Sequence, residues 1–359
     1  MGCHRSGTNL LYDTLLSAGG FAVYRDYLPV YEVLIPRFGS LKNSENRRRM
    51  LSSWLRSKAF RRSGVDAARL TEQVLRDCST GGDFVRIVME AIARQQNVAR
   101  WAAYDAENVL YVKSIKREIP EALFIHIIRD GRDIALSLRK MRGFKPFPWW
   151  GASKSLRATA LYWEWMVRQG QGHGRSIPAD YLEVHYEELL LEPRRTLATL
   201  GRFLDQDLDY DRIQSTRLGR LRESNSSFRE EKSQQSPVNR WKDKLSPEEI
   251  VSLETLVGEY LEELGYPLTT PKHKRKVGVR ENWMRTVYHG FFDAKVWLKL
   301  NTPLGKLASL SQLELADPVR GSSQAESEIS ATQHGEGGCE DRQKIGSTGL
   351  PDPESKVSE

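Results

Sequence analysis

The 359 residues carry 54 Lys and Arg against 47 Asp and Glu, a formal net charge of +7, and the hydrophobic fraction of 39% is enough for a folded core of one large or two medium domains. No apolar run is long enough for a transmembrane helix and no signal peptide opens the chain, and the three cysteines (Cys3, Cys78, Cys339) are too scattered for a disulfide framework or a zinc site, which points to a reducing cytoplasm. A positive balance of this size suits a polyanionic ligand without singling out nucleic acid.

In chain order, Gly2-Cys3-His4-Arg5-Ser6-Gly7-Thr8-Asn9 is a glycine-bounded basic turn that runs into an amphipathic helix over Leu10 to Leu16. Gly2 and Gly7 let the backbone curl around an anion, Ser6, Thr8 and the amides at the helix start donate to it, and Arg5 supplies charge. The Gly-Lys-Ser/Thr ending of an ATPase loop is missing, so no Mg²⁺-binding hydroxyl is placed. Phe21 to Tyr24 reads as a short strand, and residues 40–105 as Arg-rich helices whose arginines form either a solvated face or an acceptor-binding patch. Ala122 to Ile128 reads as a buried parallel strand. It ends in Arg129-Asp130-Gly131-Arg132-Asp133 and is followed by a helical period, a second strand-turn-helix anion site of the kind found where open α/β sheets bind ligands. His126, inside that strand, reads as a core histidine.

Met141 to Ser155 is a loop rich in Gly, Pro and aromatic residues, with Phe144, Phe147, Trp149 and Trp150, that either lines an acceptor pocket or caps the core. Helices are expected near Leu156–Gln169, Pro193–Leu204 and Pro247–Leu264, the last opening on a Ser-Pro-Glu-Glu cap. From Lys272 a basic block leads into an aromatic and cationic segment, Trp283 to Leu298, which either packs back on the domain or lies on a membrane or partner. After about Asp317 the chain is rich in Gly, Ser and Glu and reads as a disordered acidic tail.

The two anion turns resemble those of sulfotransferases that use 3′-phosphoadenosine 5′-phosphosulfate (PAPS). That family's Gly-x-x-Arg/Lys-Ser-Gly-Thr loop holds the 5′-phosphosulfate, and an Arg with a Ser eight residues later holds the 3′-phosphate, the spacing of Arg129 and Ser137. Asn108 to Lys113 resembles the family's strand ending in an active-site lysine. Tyr181 to Leu189, with Tyr186-Glu187-Glu188, resembles its strand and "YEDL" segment, and Pro237 to Ser246, with Arg240, Trp241 and Lys242, the loop closing over the nucleotide in the bacterial and Golgi-type branches.

The resemblance covers residues 1–268 and implies a three-layer α/β/α fold around a mostly parallel sheet, followed by a basic and aromatic extension over 269–315 and the tail over 316–359. It implies an enzyme that moves a sulfuryl group from PAPS, without a metal, to a hydroxyl or amine. The donor would be held by Arg5, Ser6, Gly7, Thr8, Asn9, Arg129, Ser137, Tyr186, Arg240, Trp241 and Lys242, with Arg5 and Lys113 sharing the developing charge. Carboxylate-using branches carry their base roughly twenty to thirty residues past the loop's basic residue, which makes Asp26 the first choice and Glu32 the second. The branch that uses a His after the lysine is set aside, because Ile115 stands there.

The family's apolar first strand is missing ahead of Gly2. A sheet without it would leave unpaired backbone groups at about 1–3 kcal/mol each, which predicts a truncated chain or another segment in the gap. The acceptor stays open among carbohydrate, lipid, peptide and small molecule, with peripheral membrane contact through 272–299. A nucleotide kinase or NTPase shares the anion loop but needs a Walker lysine and an acidic Mg²⁺ site. A non-catalytic basic protein explains the charge but not the paired turns.

Overall fold

The computed structural model describes residues 1–141, 144, 155–216, 238–275 and 277–313. Phe147, Trp149, Trp150 and the tail from Asp317 lie outside the described residues. The labelled elements are α1 (Thr8–Ser17), α2 (Ser44–Leu55), α3 (Ala67–Asp77), α4 (Gly81–Gln95), α5 (Val112–Glu118), β1 (Phe124–Ile128), α6 (Gly131–Lys140), α7 (Leu156–Gly174), β2 (Tyr181–His185), α8 (Tyr186–Leu191), α9 (Pro193–Leu204), α10 (Trp241–Lys244), α11 (Pro247–Glu263) and α12 (Val279–Asn301).

Strands β1 and β2 pair in parallel, Phe124 opposite Tyr181 and Ile128 opposite His185. Successive side chains leave a strand on opposite faces, and β1 is apolar on both. Ile127 packs with Leu10, Leu11 and Leu15 of α1 and Leu197 and Leu200 of α9, while Ile128 packs with Trp163 and Met166 of α7 and Leu256 of α11. Helices therefore cover both faces of the sheet, and the architecture is α/β. On the free side of β1, the Met1 ammonium donates to Ile125 O (3.0 Å) and the Ile127 amide to Met1 O (3.0 Å), which is parallel pairing by a single residue.

Two expected strands do not form. Phe21 makes only an isolated parallel bridge with Arg100, because Val23 gives its amide and carbonyl to the Gln96 side chain and the Tyr24 carbonyl accepts from the Tyr12 hydroxyl. Asn108 to Lys113 is helical. Asp105 Oδ1 accepts from the Glu107 amide at 3.0 Å and turns the chain into a 3₁₀ segment and then α5, where Val109, Val112 and Ile115 are buried at helical spacing.

The Arg-rich stretch folds into α2, α3 and α4 around Trp54, Phe84, Met50 and Leu70, with Asn43, Asp66 and Thr80 as N-caps. Arg47 is an internal tie, donating to the carbonyls of Leu41, Leu75 and Cys78, whereas Arg48, Arg49, Arg56 and Arg61 are exposed. The basic and aromatic extension packs back on α7. Phe292 lies against Tyr162 and Trp165, the Trp165 Nε1–H donates to Asp293 (2.8 Å), and Arg285 pairs with Glu164 (3.2 Å).

Arg132 is the most deeply buried of the described arginines, 1% exposed. It makes two bonds to Asp130 (3.0 and 2.8 Å), one to Glu254 of α11 (2.5 Å) and one to the Pro267 carbonyl (3.0 Å), and its guanidinium lies over the Trp241 ring at 3.8 Å. Replacing it strands two buried carboxylates. Arg132→Met is expected to destabilise the chain by about 3–5 kcal/mol in urea unfolding, whereas exposed Arg48→Met should stay within about 0.5 kcal/mol.

Candidate functional site

The loop between Met1 and α1 is shaped by two glycines. Gly2 sits at φ 153° with its α-carbon so close to the sheet that a Cβ would lie 2.4 Å from Ile127 O, and Gly7 sits at φ 101° where a Cβ would lie 2.5 Å from the Tyr186 ring. Between them Arg5 takes the left-handed region, φ 74°, and Ser6 is buried with a hydroxyl that has no hydrogen-bond partner. The first-turn amides of α1 open from this loop without intrahelical acceptors. An orphaned buried hydroxyl beside such amides, where no Cβ fits, is a cradle for an anion.

The second turn closes on the first. Arg5 Nε donates to Ser137 Oγ of α6 (3.0 Å), and Arg129 Nη1 donates to the Arg5 carbonyl (3.3 Å). Arg129 lies over the Tyr186 ring at 4.1 Å and pairs with Asp133 at 3.5 Å, and Asp133 accepts the Trp241 amide at 2.9 Å. Glu187 accepts the Asp130 amide (3.0 Å) and the Tyr266 hydroxyl (3.0 Å), so the turns after β1 and β2 are tied together. Burial raises the Asp133 carboxyl, and the Arg129 and Arg240 charges act against it. Lys242 is exposed, with its ammonium 5.6 Å from the Trp241 ring centre.

Thr8 and Asn9 also line a cavity of about 510 Å³, together with His4, Glu32, Asp105 and Glu107 and several aromatic rings. The Tyr27 hydroxyl donates to Glu32, and Lys299 of α12 stands 3.8 Å from the same carboxylate. His4 Nε2 meets Glu107 at 3.3 Å; burial opposes a charge on this imidazole, but Glu107 outweighs it and raises its pKa. Burial, then the Glu107 and Glu32 charges, push the Asp105 carboxyl up to about 7. No group of three His, Cys, Asp or Glu among the described residues is arranged to hold a metal ion.

A family model described as "Sulfotransferase family" matches residues 1–211. The chain belongs to the sulfotransferase family. A Caenorhabditis elegans relative described as "Putative protein-tyrosine sulfotransferase" is 25% identical over 158 residues, 44% of this chain and 58% of that protein, so the chain spans little more than half of it. The sulfotransferase domain of the Synechococcus PCC 7002 olefin synthase superposes with a TM-score of 0.47 at 17% identity, over 74% of this chain and 93% of that one. A sulfotransferase domain from the curacin biosynthetic pathway gives 0.47 at 13%, over 74% and 96%.

Within this sulfotransferase, Arg5, Ser6, Gly7, Thr8, Asn9, Arg129, Ser137, Tyr186, Arg240 and Trp241 gather around the joined turns. Glu32 enters the cavity, but Asp26 does not line it: its carboxylate is paired with Arg62 at 2.6 Å. Lys113 is not brought to the loop either. With the expected strand replaced by α5, it is exposed, and its charge is felt by His173 near the end of α7, where Gly174 packs on Tyr181 at the opposite end of the strands. His4, Tyr27, Asp105 and Glu107 escaped the sequence reading. The signal was an acidic pair, Asp105 and Glu107, just ahead of an apolar run.

Asp105 has a pH signature. Its ordinary pKa is 3.8 and burial raises it to about 7, so the folded chain keeps a proton that the unfolded chain releases. That contribution is full below about 3.8 and is lost as pH rises through 7. Asp105→Asn keeps the cap oxygen and removes the charge, so it should gain about 1–3 kcal/mol over the parent at pH 8 and nothing at pH 4, measured by urea unfolding at both.

Proposed function

We propose that this sulfotransferase moves a sulfuryl group from PAPS to a hydroxyl or amine seated in the cavity beside Glu32. The observation that carries the reading is the junction of the two anion turns through Arg5, Ser137 and Arg129. The residues fit the donor: the unpartnered Ser6 hydroxyl and the open amides of α1 suit its 5′ end, and the Arg129 guanidinium, backed by Tyr186, suits a 3′-phosphate. Ser137 would join Arg129 there, and the segment Arg240 to Lys242, anchored by the buried Trp241 ring, would border the nucleotide.

When bound, the donor supplies the sulfur atom, whose bond to the bridging oxygen breaks as the acceptor atom bonds to it. Arg5 neutralises the oxygen that leaves with the nucleotide, and the first turn of α1 adds its dipole, so that positioning and charge carry the step. Glu32 takes the acceptor's proton. It replaces Asp26 as the base because it is the one of the two that lines the cavity, with Tyr27 and Lys299 fixing its two oxygens. Tyr104, Phe144, Tyr162 and Phe292 give the cavity a wall suited to an acceptor bearing a flat ring, and protein tyrosine, the substrate in the nematode relative's description, is one such acceptor.

Arg129→Ala is expected to weaken binding of adenosine 3′,5′-bisphosphate by about 1.5–3 kcal/mol and to erase the preference over adenosine 5′-phosphate, read by calorimetry. Undiminished preference would remove Arg129 from the 3′ site. With a phenolic acceptor, Glu32→Gln should lower turnover by about 10²–10⁴-fold while Asp26→Asn retains it. The reverse pattern would return the base to Asp26.

A further inference from the structure

Helix α12 has an outer face that its packing does not use. At 100° per residue Val279, Trp283, Val287, Trp297 and Leu298 share an arc of about 100°, about 28 Å long, completed by exposed Gly290 and Ala294. Val279 is 88% exposed, Trp283 63% and Trp297 59%, and Leu304 and Leu307 extend the exposed apolar surface just past the helix. An unbroken apolar strip of this length on a soluble surface marks an interaction site.

The charge around the strip specifies what it meets. Residues 272–307 contain nine Lys and Arg and two acidic residues, Glu281 and Asp293. Both acids are engaged by the protein, Glu281 by Arg157 at 3.0 Å and Asp293 by Trp165 and Gln169, and neither falls in the apolar arc. Arg280 stands at the arc's edge and is exposed, and Lys272, Lys274 and Lys306, in the segments flanking the helix, are exposed as well. Two exposed tryptophans on an apolar strip, with exposed cations on the helix and on the segments flanking it, match the headgroup region of an anionic bilayer, where indoles rest at the interface and ammonium groups meet lipid phosphates. No helix among the described residues is long and apolar enough to cross a membrane, so the helix would lie on the surface.

We propose that α12 seats the protein on an anionic lipid surface, with Trp283 and Trp297 as anchors and the basic residues around them as the electrostatic contact. The opposite side of the helix lines the acceptor cavity through Phe292, so the lipid surface stands about one helix diameter, roughly 10 Å, from that cavity.

The test is co-sedimentation of the full chain with phosphatidylcholine vesicles, with and without phosphatidylglycerol. The protein should pellet with the anionic vesicles, less so as salt rises, and the Trp283→Ser/Trp297→Ser double variant should bind about tenfold more weakly or worse. Lys274→Glu/Arg280→Glu should lose the dependence on phosphatidylglycerol while keeping the parent's circular dichroism, which separates lost binding from lost fold. Failure of the parent to pellet with anionic vesicles, or undiminished pelleting of the tryptophan variant, would overturn the proposal. So would a concentration-dependent dimer that the tryptophan variant abolishes in the absence of vesicle binding, because the strip's occupant would then be a second copy.

Discussion

The buried guanidinium of Arg132 is the constraint on which the site depends. It grips Asp130, which caps α6 by accepting the Arg132 amide (2.8 Å), and Glu254 in the middle of α11, and it stacks on Trp241. Desolvating these charges costs about as much as their attraction returns, so the group's contribution is to geometry more than to net stability. Arg129 is held on either side: its carbonyl accepts the Trp163 indole N–H at 3.0 Å, and the next residue but one, Gly131, sits against that indole where a Cβ would be 2.4 Å from the ring. The direction of the Arg129 side chain and the seat of the Trp241 segment thus follow from the same cluster.

A second layer depends on Tyr186. One part of its ring fills the space a Gly7 side chain would occupy, and the ring carries the Arg129 guanidinium. The loop before α1, the turn after β1 and the start of α8 are therefore one assembly, and none of the three can shift without the others. The C-terminal extension belongs to the same construction. Phe292 walls the cavity and Lys299 faces Glu32, so α12 shapes the cavity as well as the surface outside it.

What could be read in the sequence was what local patterns encode. Glycines bounding a basic turn, an apolar run ending in Arg129, and a Ser-Pro-Glu-Glu cap each specify their own few residues, and all three stand as expected. What was not legible has a different cause. Asn108 to Lys113 has the β-branched content of a strand, but Asp105 caps the following amides and tertiary burial selects the helical period. Lys113 was carried away from the loop with it. Asp26 and Glu32 lie six residues apart at similar distance from the loop. Only the fold reveals that Arg62, from a helix thirty-six positions on, claims one of them, while Tyr27 and Lys299, the latter from the far end of the chain, frame the other. The cluster of His4, Asp105 and Glu107 is likewise a product of chain crossing, assembled from segments about a hundred residues apart.

The central claim is that the joined turns form a site for a nucleotide bearing a 3′-phosphate. Calorimetric titration of the 359-residue chain with adenosine 3′,5′-bisphosphate, and in parallel with ATP and Mg²⁺, tests it most directly. Saturable binding of the bisphosphate at a single site, at least about tenfold tighter than ATP with Mg²⁺, is the expected result, since only the first ligand engages both turns. Equal or tighter binding of ATP with Mg²⁺, or no binding of the bisphosphate, would contradict the account.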